Sequence, residues 1–269
     1  VLFRSYFIYI PVHFFIIHLN AEKVTVGTFT FAKRYVNVYV FSHNYKIIVW
    51  SRPGPTLTIE IGISKSSKVG NNCIIGKNIS IGENCVIGDN VIIEEGTIIN
   101  HNVVICDNVR IGKNCYIKSG AIIGEDGFGF DFEKDGTPIR IPHIGSIEIG
   151  NNVEIGCNTV IARGTLNNTK IEDNVKIDDQ VFIAHNCKIG KNTVIISFAQ
   201  ISGSVVIGEN CWIGPNSSII QKLKIGNNVT IGIGSVITEN IPDNKKMMGL
   251  EGLDLRSLIK LKKRIEYGK

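Results

Sequence analysis

The chain places an aliphatic residue at almost every sixth position from Ile63 to Ile237, and this period dominates its hydrophobic pattern. The second position of each six is often Gly and the fourth often Asn, two residues that tolerate the left-handed backbone of a tight corner. The fifth position is small or β-branched. Each unit therefore predicts one short strand followed by a corner, and a repeat of this length predicts an all-β parallel β-helix with three strands per coil.

Two insertions interrupt the period, a long one at residues 124–146 and a short one at residues 163–168. In a three-sided prism, residues three units apart stack on one another, so His185 is predicted to lie above Arg163 and below Gly203. Both insertions begin on this column, the long one at Glu125 and the short one at Arg163. We therefore expect the functional site at this edge of the prism.

Composition and pattern divide the chain into three parts. The β-helix is predicted over residues 56–244, after a small β-rich region at 1–55 that ends in the Pro- and Gly-containing stretch 51–55. Apolar residues then fall at helical spacing beside a basic face, which predicts a short C-terminal α-helix over 245–269.

Several function classes are disfavoured by composition. The seven Cys include no CxxC pair, which argues against a disulfide framework or a zinc ribbon and favours a reduced, cytoplasmic location. The apolar stretch at residues 6–19 is short for a membrane span and contains Pro11, so buried strands are expected there and no integral membrane segment. The net charge of +5 comes without an aromatic-interleaved basic patch, so no nucleic-acid partner is expected.

The predicted column carries residues suited to acyl transfer. A neutral His is the usual base for removing a proton from an attacking amine or hydroxyl, and His185 points outward at this edge. The backbone N–H of Gly203 is placed to donate to the oxyanion that forms from a thioester carbonyl. Asp178 and Asp179, about one unit earlier, are candidates to orient the imidazole.

Metal binding is a competing use of His on such a prism, and it needs three imidazoles. His101 falls on a different face from His185, and His143 lies in the long insertion. Since no three converge, no metal site is predicted.

A set of motifs around the long insertion resembles a known family. Residues 124–130 read Gly-Glu-Asp-Gly-Phe-Gly-Phe, and Ile-Pro-His-Ile-Gly at 141–145 and Ala-His-Asn at 184–186 follow. Together they resemble the UDP-3-O-(3-hydroxyacyl)glucosamine N-acyltransferases of lipid A biosynthesis. The resemblance implies a left-handed, homotrimeric β-helix without bound cofactor, which uses an acyl carrier protein thioester as donor and a nucleotide sugar as acceptor. It also implies a catalytic role for His185 and an oxyanion N–H at Gly203.

Further residues are candidates for substrate binding, and two other functions stay open. The candidates are Phe128 and Phe130 in the long insertion, Arg163, Gln180 and Lys222, the last standing where the family has a second functional His. One alternative is a sugar O- or N-acetyltransferase of surface polysaccharide that uses coenzyme A as donor, since Lys222 suits a coenzyme A phosphate. The other alternative is a non-catalytic β-helix scaffold.

Overall fold

A computed structural model describes residues 62–249 in full and, before them, the backbones of five strands. The chain divides into two compact units, Val1–Ile59 and Glu60–Lys269. In the first unit two strands form an antiparallel pair and three form an antiparallel meander, as expected for a β-rich region: Tyr6–Ile10 with His13–Ile17, and Thr28–Phe31 with Arg34–Phe41 and Lys46–Trp50. The predicted linker at 51–55 lies outside the described residues.

The second unit is the predicted parallel β-helix, whose three sheets contain ten, nine and eight strands. The first face consists of Gly62–Ile63, Ser80–Ile81, Ile98–Ile99, Tyr116–Ile117, Glu154–Ile155, Lys176–Ile177, Val194–Ile195, Trp212–Ile213, Thr230–Ile231 and Lys246–Met247. The second face consists of Lys68–Val69, Val86–Ile87, Val104–Ile105, Ile122–Ile123, Val160–Ile161, Phe182–Ile183, Gln200–Ile201, Ser218–Ile219 and Val236–Ile237. The third face consists of Ile74–Ile75, Ile92–Ile93, Arg110–Ile111, Ile147–Ile149, Thr169–Ile171, Lys188–Ile189, Val206–Ile207 and Lys224–Ile225.

The interior is filled by two residues of each unit, the Ile that ends the strand and the small residue before the next strand. Ile183, Ile195 and Ile213 are completely buried, as is Thr193 at a small-residue position. The Thr193 hydroxyl donates to the carbonyl of Gly208 at 2.9 Å and accepts from the N–H of Cys211 at 3.1 Å. Because this buried hydroxyl both donates and accepts a hydrogen bond, its burial carries little free-energy penalty, and the two bonds link consecutive coils.

The corners take the left-handed backbone that the fourth position predicts. Asn210, for example, has a φ of 56°, and most of the other left-handed corners are also Asn. Four corners carry other side chains in the same conformation: Gln180, Phe198, Ser204 and Lys222. A bulky residue such as Phe198, at a φ of 61°, is strained there because its Cβ crowds the backbone.

Both insertions leave the helix as loops without disturbing the register. Ile93 pairs with Ile111, 18 residues later, but Ile111 pairs with Ile149 after 38 residues and Ile149 with Ile171 after 22. The long loop (residues 124–146) contains an antiparallel hairpin of Phe130–Phe132 and Pro138–Arg140. The short loop is residues 163–168.

At its end the β-helix extends past the predicted boundary at residue 244. Lys246–Met247 pairs with Thr230–Ile231 as a further strand of the first face, so the helix predicted to begin at 245 does not begin there. The rest of that prediction, residues 250–269, lies outside the described residues. Within the described part of the chain there is no helix with the length and apolar character needed to cross a membrane.

The strained corner at Phe198 yields a stability prediction. Replacing Phe198 by Asn should raise the free energy of unfolding by about 1 kcal/mol, because Asn tolerates the left-handed region that Phe resists. The reciprocal change Asn216→Phe, at a left-handed corner whose N–H donates to the Ser197 carbonyl, should lower it by a similar amount. Urea unfolding followed by circular dichroism measures both, and equal stability of the three proteins would contradict the strain.

Candidate functional site

The candidate site lies at the corner between the second and third faces, which we call the His185 edge. His185 follows the strand Phe182–Ile183 and is half-buried. Its carbonyl accepts from the N–H of Ser204 at 2.9 Å, and a Cβ placed on Gly203 would lie 2.7 Å from both Cε1 and Nε2 of the imidazole. The predicted stacking of Gly203 on His185 is therefore present. Any side chain at position 203 would collide with the imidazole of His185 in this position.

Arg163 lies below His185 on the same edge and fastens the start of the long loop. Its backbone N–H donates to the carbonyl of Glu125 at 2.9 Å, which is the predicted stacking. Its guanidinium donates through Nε to the carbonyl of Gly124 at 2.5 Å and through Nη2 to that of Asp107 at 3.2 Å. Through these bonds Arg163 holds backbone in place within the chain.

The imidazole of His185 is oriented by an amide. The side-chain Nδ2 of Asn186 lies 3.2 Å from Nδ1 of His185, and the Oδ1 of Asn186 accepts from the N–H of Thr165 at 2.8 Å. Thr165 belongs to the short loop, so this loop holds the Asn186 side chain that orients the imidazole of His185.

Asp178 and Asp179, which the sequence analysis predicts to orient His185, lie at a different edge of the same chain. One unit back along the sequence is one corner back around the prism, so both lie at the edge between the first and second faces. Asp178 accepts from the N–H of Ser197 at 3.2 Å, and Asp179 accepts from the N–H of Cys157 at 2.7 Å.

Gln180 forms the left-handed corner of that same edge, with a φ of 58°. Lys222 is different, because its N–H donates to the carbonyl of Gly203 at 2.9 Å. Lys222 therefore belongs to the His185 edge, one coil above Gly203, whereas Gln180 and the two aspartates face elsewhere in the single chain.

The long loop brings a second imidazole to His185, and sequence reasoning had assigned it no role. The rings of His143 and His185 are 5.3 Å apart between centroids and nearly perpendicular, at 72°. His143 is only 5% exposed, and its Nδ1 lies 3.0 Å from the carbonyl of Ile141. The sequence signal was the pair Gly127 and Gly129, since a Cβ on either would come within 2.9 Å of an atom of one of the rings.

The two loop aromatics lie together on the outside of the loop. The rings of Phe128 and Phe130 are 4.8 Å apart, and Phe128 is 84% exposed. The guanidinium of Arg140 lies 5.4 Å from the centroid of Phe130 and 3.8 Å from the carboxylate of Asp126. This arrangement presents apolar surface beside the His185 edge, which suits an apolar ligand or a neighbouring chain.

The electrostatics of the edge favour a neutral base. Burial lowers the pKa of His185 from its ordinary value of 6.5, and a positive charge on His143 would lower it further. The ring is therefore neutral at pH 7 and can accept a proton.

Below the loop an open depression of about 370 Å³ contains Cys106 beside Glu125. Burial, and next the charge of Glu125, raise the pKa of the Cys106 thiol to about 11, so it carries no reactive thiolate. In the part of the chain that the structure describes, no three His, Cys, Asp or Glu side chains are grouped to hold a metal ion.

Comparison with protein families and curated proteins agrees with the motifs. The family described as bacterial transferase hexapeptide (six repeats) matches residues 66–101, 92–125, 168–203 and 204–239. The chain is 40% identical over 84 residues to UDP-3-O-acylglucosamine N-acyltransferase of Chlorobium chlorochromatii, and 47% identical over 81 residues to that of Cytophaga hutchinsonii. These matches cover 31% and 30% of the chain and 23% of each relative, so the chain spans under a quarter of the relatives' length in them. They confirm the resemblance predicted from the sequence.

Solved structures confirm the left-handed β-helix. LpxA from Acinetobacter baumannii superposes with a TM-score of 0.64 at 27% identity, over 74% of this chain and 77% of that one. A UDP-N-acetylglucosamine acyltransferase has the same TM-score at 25% identity, over 77% of this chain and 80% of its own.

The burial of His185 yields a prediction that needs no substrate. In a pH titration followed by NMR of the imidazole C–H resonances, His185 should be half-protonated below pH 6.5, because burial disfavours the charged ring. The His185→Ala variant assigns the resonance. A midpoint at or above 6.5 would contradict the described environment.

Proposed function

We propose that the chain is an acyltransferase of the lipid A type, because four of its segments match bacterial transferase hexapeptide repeats and it resembles UDP-3-O-acylglucosamine N-acyltransferases. The proposed reaction moves a 3-hydroxyacyl group from an acyl carrier protein thioester to the amine of a UDP-amino sugar. The observation that carries the proposal is the imidazole of His185, which packs against Gly203 and lies beside His143 of the long loop.

In this reaction His185 acts as general base. Its imidazole takes a proton from the amine as the amine attacks the thioester carbonyl, and a tetrahedral intermediate with an oxyanion forms. The protonated ring then gives its proton to the departing thiolate as the C–S bond breaks. An unperturbed base would be partly protonated at pH 7, so the lowered pKa of His185 supports this role.

The backbone N–H of Gly203 is assigned to the oxyanion. At other corners the corresponding N–H donates to a side chain one coil above, as Asp89 does to Asp107 and Glu209 to Asn227, both at 2.8 Å. Among residues 62–249 the N–H of Gly203 has no such acceptor. A free donor beside the base is what a developing oxyanion requires.

A homotrimer is part of the proposal, and the second face supports it. Five consecutive outward positions of this face are apolar and none is fully buried: Val86, Val104, Ile122, Val160 and Phe182. Val86 is 46% exposed and Phe182 38%, so a continuous apolar ladder is left for another copy to cover. Multi-angle light scattering should give a trimeric mass for the full chain and a smaller mass for Phe182→Glu. A monomeric parent would contradict the trimer.

The reaction is proposed to take place in the cytoplasm. The seven cysteines, all free, support a reducing compartment.

One observation favours a second candidate, a sugar O- or N-acetyltransferase that uses coenzyme A. Lys222 lies on the His185 edge one coil above Gly203, where its ammonium could pair with a coenzyme A phosphate. Both candidates use His185 and Gly203, and they differ in the donor.

A mass-spectrometric transfer assay tests the proposal. A panel of UDP-2-amino sugars is offered 3-hydroxyacyl carrier protein in one tube and acetyl-CoA in the other. We expect a long-chain amide from the carrier protein, and a kcat lower by roughly two to four orders of magnitude in His185→Ala, the usual scale for losing a general base.

The matched control is His101→Ala, because His101 lies at another edge, where its Nδ1 accepts from the N–H of Glu83 at 2.9 Å. This variant should keep the parent rate. An acetylated product from acetyl-CoA would favour the second candidate. Product formed equally by the parent and His185→Ala would overturn the assignment of the base, and no product from either donor would favour the scaffold.

A further inference from the structure

His143 holds a buried lone pair that has no hydrogen-bond partner among residues 62–249. A carbonyl only accepts hydrogen bonds, so the Nδ1 of His143, 3.0 Å from the carbonyl of Ile141, carries the ring proton in the neutral form. The lone pair is then on Nε2, which is buried and has no hydrogen-bond partner among the described residues. Burying an acceptor without a partner costs about 1–3 kcal/mol, so this atom calls for a physical explanation.

The unpartnered atom and the ring of His185 converge on the same small space. A Cβ on Gly127 would lie 2.9 Å from Nε2 of His143 and 2.8 Å from Cδ2 of His185. The Cδ2 of an imidazole is bonded to its Nε2, and this edge becomes positive when the ring is protonated. The nearly perpendicular arrangement of the rings, at 72°, brings an edge of one toward the other.

We propose that His143 is a positioning residue of the site, whose buried Nε2 lone pair stabilises the positive charge that the imidazole of His185 acquires during acyl transfer. The inference rests on the proposed function, in which His185 takes a proton from the amine. Before that step the lone pair lies beside a neutral ring and its burial is uncompensated. After the step the neighbouring ring is a cation, so the interaction strengthens along the reaction and lowers the barrier.

In this role His143 favours protonation of His185, whereas repulsion between two charged rings would disfavour it. A protonated His143 would disfavour charge on His185. The neutral ring, which donates its proton to the Ile141 carbonyl, instead presents a lone pair that favours this charge. Other charged groups at the loop are Glu125 and Asp126 at its start, Arg140 on its hairpin and Arg163 beneath it. They are the same in all variants below and do not distinguish the two signs.

The test uses the full chain with two variants, His143→Phe and His143→Gln. Phe fills the space without a lone pair, so kcat should fall about 10- to 100-fold, the scale of a hydrogen bond to a charged group. KM should stay within about twofold, because Nε2 is buried away from substrate. Gln returns an acceptor oxygen and should recover most of the lost kcat. The thermal midpoint of His143→Phe should not fall, since an unpartnered polar atom has been removed.

The NMR titration of His185 separates this role from a structural one. Loss of the lone pair in His143→Phe should move the protonation midpoint of His185 to lower pH, since the cation has lost a stabilising neighbour. A midpoint that is unchanged or rises would overturn the proposal, even if kcat falls, because a displaced loop would then account for the rate. If the parent transfers no acyl group, the proposed function fails, and the titration alone still decides whether the two rings interact as described.

Discussion

The whole structure depends on the stacking of coils in register. Most corner N–H groups donate to a carbonyl of the coil below, as from Asn210 to Lys191 at 2.9 Å, and each strand of the β-helix pairs with the strand one coil away. The short strands give little stability alone, so the backbone bonds and the completely buried Ile column hold the prism together. One consequence is that a residue's neighbours are determined by its position in the repeat.

The site is built where this regularity is broken. The long and short loops leave the same edge and support each other, since the N–H of Ile144 donates to the carbonyl of Thr165 at 2.8 Å and that of Ser146 to Oδ1 of Asn168 at 3.0 Å. The prism supplies a rigid position for His185, and the loops supply the groups that contact its ring. A site assembled this way combines an imidazole on a rigid element with loops that partly cover it.

The pKa of His185 is lowered more by burial than by neighbouring charges. Among residues 62–249 no carboxylate is hydrogen-bonded to His185, and its neighbours are an amide, a glycine and a second imidazole. Such surroundings disfavour a charged ring at rest, which keeps the base ready to accept a proton. They also make any stabilisation of the charged ring depend on one or two specific contacts, and our proposal assigns the contact on the loop side to the lone pair of His143.

The sequence by itself determined the β-helix, the place of both insertions and the stacking of Gly203 on His185 and of Arg163 on Glu125, because a strict six-residue period converts sequence distance into position. The same six-residue count also places Asp178 and Asp179 one corner away from His185, which the prediction that they orient its ring overlooked. Only the tertiary structure decided that Arg163 binds backbone carbonyls and that His143 returns to lie beside His185. A loop of this length has no period, so its path depends on which side chains it can bury, and that is settled by packing against the folded prism.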